Sequence, residues 1–256
     1  MKFATWNVNS IRQREAHVRR WLERERPDAL LLQEIKCETA AFPADGFAAL
    51  GYRSVVVGQK AYNGVAILTR GDAEVTCTAL PGLPPEPQAR YVEVRLKGVT
   101  LGNLYLPNGN SGGEAGYRAK LEWMDALAAH AAALLAADTD FALAGDYNVC
   151  PADADQAPGI LPPDDALVRH ETRSRFRALL WLGLTDAVRA LQPTGSAFTF
   201  WDYQAGCWPR DRGLRIDHAL LSPRLAERLL SALPDRQERD APQPSDHVPL
   251  IVSLAA

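Results

Sequence analysis

The chain has 256 residues, 47% of them hydrophobic and 23% charged, with a formal net charge of −3 at pH 7. That composition suits a globular protein with a sizeable core and excludes a polycation held on nucleic acid by bulk charge. No apolar run approaches the roughly 18 residues of a membrane-spanning helix, and Cys37, Cys77, Cys150 and Cys207 stand singly, without the spacing of a disulfide framework or a thiolate zinc site.

From the N-terminus, Met1-Lys2-Phe3-Ala4-Thr5-Trp6-Asn7 turns polar at once and carries no signal-peptide stretch, so a cytoplasmic location is expected. Residues 2–8 form the first β-like run. Ile11, Val18, Trp21 and Leu22 then line one face of a helix that Pro27 stops. Further β-like runs cover 29–32, 52–58, 64–68, 91–96 and 100–106. Within 91–96, Val92, Val94 and Leu96 alternate with Glu93 and Arg95, as in a half-buried strand. Tyr117, Leu121, Met124, Ala128, Ala131 and Leu135 mark a longer helix. A strand at 141–144 follows, then a third helix at Phe176, Leu179 and Leu180, then strands at 198–203, 216–221 and 249–254. The proline-rich stretches 81–87 and 158–163 read as loops inside a single domain spanning 1–256. Ten strands with few helices suit two packed sheets covered by helices.

Polar residues cluster at the ends of these runs. Asn7, Gln33-Glu34 and Asp146-Tyr147-Asn148 each close an apolar stretch, while Asp217 and Asp246-His247 each open one. Antiparallel neighbours share an edge where one finishes and the next begins, so all five places can converge on one rim. Asn7, Glu34 and Asp246 supply hard oxygen ligands of the kind magnesium prefers. Asp146 and Asn148, two apart, face one side in extended backbone, which suits a proton carrier beside a phosphate-orienting amide. Asp217 can hold the ring of His247 in its working tautomer. His17, His130, His170 and His218 read as surface or core residues. Arg210, Arg212 and Arg215 form the local basic cluster able to meet phosphate, and a solvated face is the plainer reading of such a cluster.

The motifs Trp6-Asn7-Val8-Asn9-Ser10, Leu32-Gln33-Glu34-Ile35-Lys36, Gly58-Gln59-Lys60 with Asn63-Gly64-Val65-Ala66-Ile67-Leu68, and Gly145-Asp146-Tyr147-Asn148 come in that order. Phe198-Thr199-Phe200-Trp201-Asp202-Tyr203, Gly213-Leu214-Arg215-Ile216-Asp217 and Ser245-Asp246-His247 follow. With these seven ordered motifs, the chain closely resembles the exonuclease III-type abasic-site endonuclease family, in a match that runs from residue 2 to residue 254. The resemblance implies an α/β fold, a four-layered α-β-β-α sandwich of two packed mixed sheets flanked by helices. It also implies incision 5′ of abasic sites and 3′→5′ removal of nucleotides from duplex DNA, with trimming of blocked 3′ ends.

Carried over position by position, Glu34 matches the principal Mg2+ ligand, assisted by Asn7 and Asp246, with Mn2+ as a substitute ion. Asp146, Asn148 and His247 complete the set that can meet metal or phosphate. Tyr105 matches the tyrosine set against the scissile phosphate, Asp146 the proton-transfer aspartate, Asn148 the orienting amide, and Asp217 with His247 the Asp–His pair. Phe200, Leu214 and Ile216 match the pocket for a flipped-out abasic sugar. Leu214 stands where animal relatives often carry Trp, and His170-Glu171-Thr172-Arg173 where Pro-Glu-Glu-Arg is common. The leucine implies looser discrimination and stronger exonuclease action, and the tetrapeptide bears on the balance between repair and exonuclease action. The implied partner is double-stranded DNA with abasic sites or 3′ ends, met by a monomer away from membranes.

Magnesium at Glu34 would neutralise phosphate charge, with Asp146 or the His247–Asp217 pair as base and Asp146 favoured. Two other readings differ in chemistry. A superfamily phosphodiesterase or phosphatase acting on sphingomyelin or inositol phosphates would need no abasic pocket. A non-catalytic DNA-binding module would lack one of the metal or proton-transfer residues and carry net positive charge.

Overall fold

The computed structural model describes residues 1–84 and 88–256, so part of the 81–87 stretch lies outside the described residues. One sheet contains β1 (Lys2–Asn7), β2 (Ala29–Gln33), β3 (Arg53–Val57), β4 (Val65–Thr69), β11 (Leu229–Pro234) and β12 (Leu250–Leu254), in the order β11-β12-β1-β2-β4-β3. The other contains β5 (Glu74–Cys77), β6 (Tyr91–Leu96), β7 (Val99–Tyr105), β8 (Phe141–Asp146), β9 (Thr185–Asp186) and β10 (Asp217–Leu221), in the order β5-β6-β7-β8-β10-β9. Both sheets are mixed: β1–β2 and β7–β8 pair in parallel, and the remaining neighbours are antiparallel.

Strand alternation builds the layers. Phe3, Leu31 and Ile67 of the first sheet face Leu101, Ala142, Ala144 and Ala219 of the second in one buried cluster. The intervening residues Ala4, Trp6, Leu30, Leu32 and Leu68 point outward and are covered by α1 (Ile11–Glu25) and by Phe47 of the short α2 (Ala44–Ala48). On the far side, Leu104, Phe141, Leu143 and Leu220 lie under α3 (Gly113–Ala136) and α4 (His170–Trp181). Helix, sheet, sheet, helix: the expected four layers are present. Strands covered on both faces are apolar throughout, which is why their ends are easy to read.

Three local readings change. Residues 198–203 are not a strand; Phe200 alone bridges to Leu214 and to His247. Its aromatic neighbours are buried by stacking, Trp201 against Phe198 and Trp208, without an extended ladder. The buried face of α3 runs through Tyr117, Lys120, Trp123, Met124, Leu127 and Ala131, so Leu121, Ala128 and Leu135 sit at its margin. Strands β5, β9 and β11 are short or half-exposed edge strands whose pattern is too weak to stand out. Among the described residues no helix is long and apolar enough to cross a membrane.

Candidate active site

Strand pairing brings the polar ends together. β1 and β2 set Asn7 opposite Gln33, so Glu34 emerges beside it. β8 and β10 set Asp146 opposite Asp217, and β7 sets Tyr105 opposite Asp146. β12 runs antiparallel to β1, so the turn carrying Asp246 and His247 returns to the edge where β1 stops. Between the sheets, the Gln33 amide donates to Asn103 Oδ1 at 2.7 Å, and the Asn103 amide donates to the Leu32 and Ala66 carbonyls, both at 2.9 Å.

A continuous chain of contacts follows. Asn7 Nδ2 donates to Glu34 Oε1 at 2.9 Å and to Asp146 Oδ2 at 3.0 Å. His247 Nε2 lies 3.7 Å from Asp146 Oδ2, and His247 Nδ1 donates to Asp217 Oδ2 at 2.8 Å. Thr199 Oγ1 accepts from the backbone N–H of Asp217 at 3.1 Å. Asp246 accepts from Asn9 Nδ2 at 3.1 Å, next to Asn7. The Asn148 amide is held at both ends: Oδ1 accepts from Asn108 at 2.8 Å and Nδ2 donates to the Leu106 carbonyl at 3.0 Å. Asn9, Glu34, Lys36 and Asn148 have left-handed backbone, with φ of 44°, 48°, 51° and 50°. Such strain costs about 1–3 kcal/mol per residue and persists where surrounding structure enforces it, commonly at functional sites.

Burial and charge set the protonation states. Burial, with Asp217 adding to it, lifts the Asp146 carboxyl to about 7 against the pull of His247. Burial works against a charged His247, but the carboxylates of Asp217 and Asp146 outweigh it and raise the imidazole to about 10. Glu34 stays below the ordinary carboxylate range because Lys36 and Asn7 overcome its burial. Burial beside Glu34 and Asp146 pushes the Tyr105 phenol well above its usual value, leaving a neutral donor. The site thus pairs an ionised Glu34 with a protonated His247, and sets between them an aspartate that titrates near neutrality.

Hard oxygens dominate this donor set, as a divalent cation such as magnesium requires. Asp217 Oδ1 is buried without a hydrogen-bond partner, and ligand atoms of Asp146, Asp217 and His247 all lie within 4.8 Å of one another. Glu34 and Asp246 are the partly exposed acids through which a hydrated ion would arrive. Lys36 Nζ sits 2.9 Å from Glu34 Oε2 and offsets the charge of that carboxylate, so an ion arriving at Glu34 would have to share it with the ammonium.

Beside His247, whose ring stands 4.9 Å from that of Phe200, opens a cavity of about 390 Å³. Ile160, Leu161, Phe200 and Leu214 line it, with Arg210 and Arg212 at the wall. Ile216 does not line it but packs behind Leu214 in the same apolar cluster. Phe200 is the link between the cavity and the acidic edge, lining the one and packing against His247 of the other. Arg210 is exposed, and Arg212 donates to the Gly159 carbonyl at 3.3 Å.

Arg215 corrects the expectation of a phosphate-facing cluster. It is 1% exposed and donates to Asp155 Oδ1 at 2.6 Å, to Asp186 Oδ2 at 2.8 Å and to His218 Nδ1 at 3.0 Å. Backbone alternation turns this arginine inward while Arg210 stays outside, so it cannot reach DNA. His218 is buried, as a core reading allows. Its Nδ1 accepts from Arg215, and its Nε2 therefore donates to the Val149 carbonyl at 2.9 Å. Sequence reasoning overlooked Lys36, Asn103, Asn108, Lys120 and Thr199. Lys36, Asn103, Asn108 and Thr199 each lie within three residues of a predicted site residue, and only Lys120 is remote from all of them in the chain.

The Endonuclease/Exonuclease/phosphatase family model matches residues 4–247, which span every site residue above. The chain belongs to this family. Exodeoxyribonuclease III of Haemophilus influenzae is 32% identical over 98% of both chains. The 3′ phosphatase NExo from Neisseria, solved bound to product DNA hairpin, is 36% identical, with a TM-score of 0.95 and complete coverage of both chains. An AP endonuclease from Archaeoglobus fulgidus is 33% identical, with a TM-score of 0.93 and the same coverage. The exonuclease III-type resemblance carried by the ordered motifs is borne out. This family member is a hydrolase of the nuclease class.

Proposed function

We propose that this enzyme, one catalytic domain over residues 1–256 acting as a cytoplasmic monomer, hydrolyses phosphodiester bonds of double-stranded DNA. It incises 5′ of abasic sites and removes nucleotides or blocking groups from 3′ ends. The observation that carries this reading is the contact chain Glu34–Asn7–Asp146–His247–Asp217 along one edge, opening on the cavity at Phe200 and Leu214. Names of the relatives, which include an exodeoxyribonuclease, a 3′ phosphatase and an AP endonuclease, support the substrate class.

A phosphodiester anion repels hydroxide, so its hydrolysis needs charge neutralisation, an oriented water and help for the departing oxygen. Glu34, with Asn7 and Asp246 near it, would hold a magnesium ion, and when bound this ion supplies Lewis-acid neutralisation of the phosphate charge. Protonated His247, fixed by Asp217, donates to a phosphate oxygen. Neutral Tyr105 and the clamped amide of Asn148 add fixed donors where negative charge builds up. Asp146, near half-ionised at neutral pH, accepts the proton of attacking water. His247 serves phosphate better than metal, because a protonated imidazole has no lone pair to ligate with. The cavity, apolar at Ile160, Leu161, Phe200 and Leu214 and polar at Asp202, Gln204, Arg210 and Arg212, accepts a sugar swung out of the helix without reading its sequence.

The test is a 5′-labelled duplex carrying one central abasic analogue, with magnesium and with chelator. One incision product together with shortening from the 3′ end, both lost with chelator, is the expected result. An intact duplex under both conditions would defeat the proposal.

A further inference from the structure

A lysine lies behind Asn148 with no solvent exposure at all. Lys120, on the second turn of α3, is 0% exposed. Among the described residues its partners are backbone carbonyls and not carboxylates. Its ammonium donates to two of them, that of Asn148 at 2.6 Å and that of Asn108 at 2.9 Å. Those two residues are themselves joined, Asn108 Nδ2 to Asn148 Oδ1 at 2.8 Å. Lys120 therefore closes a small ring that grips the orienting amide from below while Asn108 holds it from the side.

The arrangement is costly. A buried amine needs partners, and Asn148 is held at φ 50°, where a non-glycine residue is strained. Gly109, with φ 90°, makes room: a Cβ there would stand 2.7 Å from Lys120 Cδ. Simple packing would be served as well by Met or Leu, whose side chains fill this space without a polar end to satisfy.

We propose that Lys120 is a positioning residue of the proposed reaction, holding the Asn148 backbone so that its side-chain amide meets the phosphate in the transition state. This rests on the reading of Asn148 as the phosphate-orienting amide. A group fixed by supporting hydrogen bonds loses rate, more than substrate binding, when its support is removed.

The experiment compares Lys120→Met, Lys120→Gln, Asn148→Ala and the double variant Lys120→Met with Asn148→Ala on the abasic duplex, with thermal unfolding recorded for each. Gln keeps an N–H donor on a shorter stem, so the outcome does not hang on one foldable variant. In Lys120→Met, kcat should fall about 10- to 100-fold with KM within about threefold, and Gln should recover part of the loss. In the Asn148→Ala background the same Lys120 change should cost less than about threefold. Full additivity in the double variant, or a loss carried mainly by KM, would overturn the proposal. Absence of metal-dependent turnover in the unsubstituted enzyme would instead sink the nuclease reading itself, so the two failures are told apart.

Discussion

Glu34 and His247 lie on one contact chain, with Asn7 and Asp146 between them, and do different electrostatic work. Glu34 is ionised and partly exposed at a left-handed backbone position just past β2. His247 is buried and held as a cation by two carboxylates. Neither packs a core that the fold requires. Glu34→Ala and His247→Ala should each lower turnover by at least about 100-fold, the scale of losing a fixed charge-stabilising group. The thermal unfolding midpoint should stay close to that of the parent in Glu34→Ala and fall in His247→Ala, which leaves the buried Asp217 and Asp146 without their cation. Near-native turnover in either variant would remove that residue from the mechanism. Both residues were legible in the sequence, because an isolated acid or histidine interrupts an apolar run at each place. Tyr105 was not legible in this way, since a tyrosine at a strand end ordinarily packs, and its role came only through resemblance.

At the scale of elements, the segment leading into β10 carries two jobs on alternate residues. Leu214 faces the cavity, while Arg215 turns inward and joins three pieces of chain. Asp155 belongs to a turn whose side chain also accepts from the N–H of Ala152 at 3.0 Å, and Asp186 caps α5 (Ala187–Leu191) through the N–H groups of Val188 and Arg189. Removing the arginine leaves buried Asp186 without a cation and Asp155 with Arg189 alone, so Arg215→Met should destabilise by about 3–5 kcal/mol, read as a lowered urea midpoint. Arg210→Ala, at an exposed site, should leave stability alone and weaken DNA binding. Its salt dependence should fall by about one unit of slope, as for one lost phosphate contact. If Arg215→Met and not Arg210→Ala changed that slope, the assignment of the two arginines would be reversed. Sequence adjacency hid this division, because the partners of Arg215 lie 60 and 29 residues upstream.

For the whole molecule, this inner network bears on acid stability. Burial, with the Arg215 charge adding to it, pushes His218 from 6.5 down to about 4. The folded state therefore keeps the ring neutral, while the unfolded chain protonates it near its ordinary value. Its contribution is complete above about pH 6.5 and is lost as pH falls towards 4, amounting to about 3 kcal/mol at the acid end. Asp155, held low by its arginines against burial, loses its contribution in the same direction. Urea unfolding of the parent and of His218→Gln at pH 7.5 and at pH 5 isolates the histidine. The gap between the two proteins should narrow on acidification. A gap that stays constant would mean that His218 titrates alike in both states.

Apolar runs, their breaks and the residue types at those breaks were enough to mark out two covered sheets and to name Asn7, Glu34, Asp146, Asn148, Asp217, Asp246 and His247. Strands buried on both faces leave an almost unbroken apolar signature, and a polar residue at the end of one stands out locally. Long-range partnership has no local signature. That Arg215 points inward, that Lys120 reaches the backbone behind Asn148, that Ile216 stands behind the cavity wall, and that 198–203 bridges through one residue only were decided by which distant groups came within hydrogen-bonding reach. Charge state followed the same division, since the type of an ionisable side chain is written in the sequence but its burial and its neighbours exist only in the folded molecule.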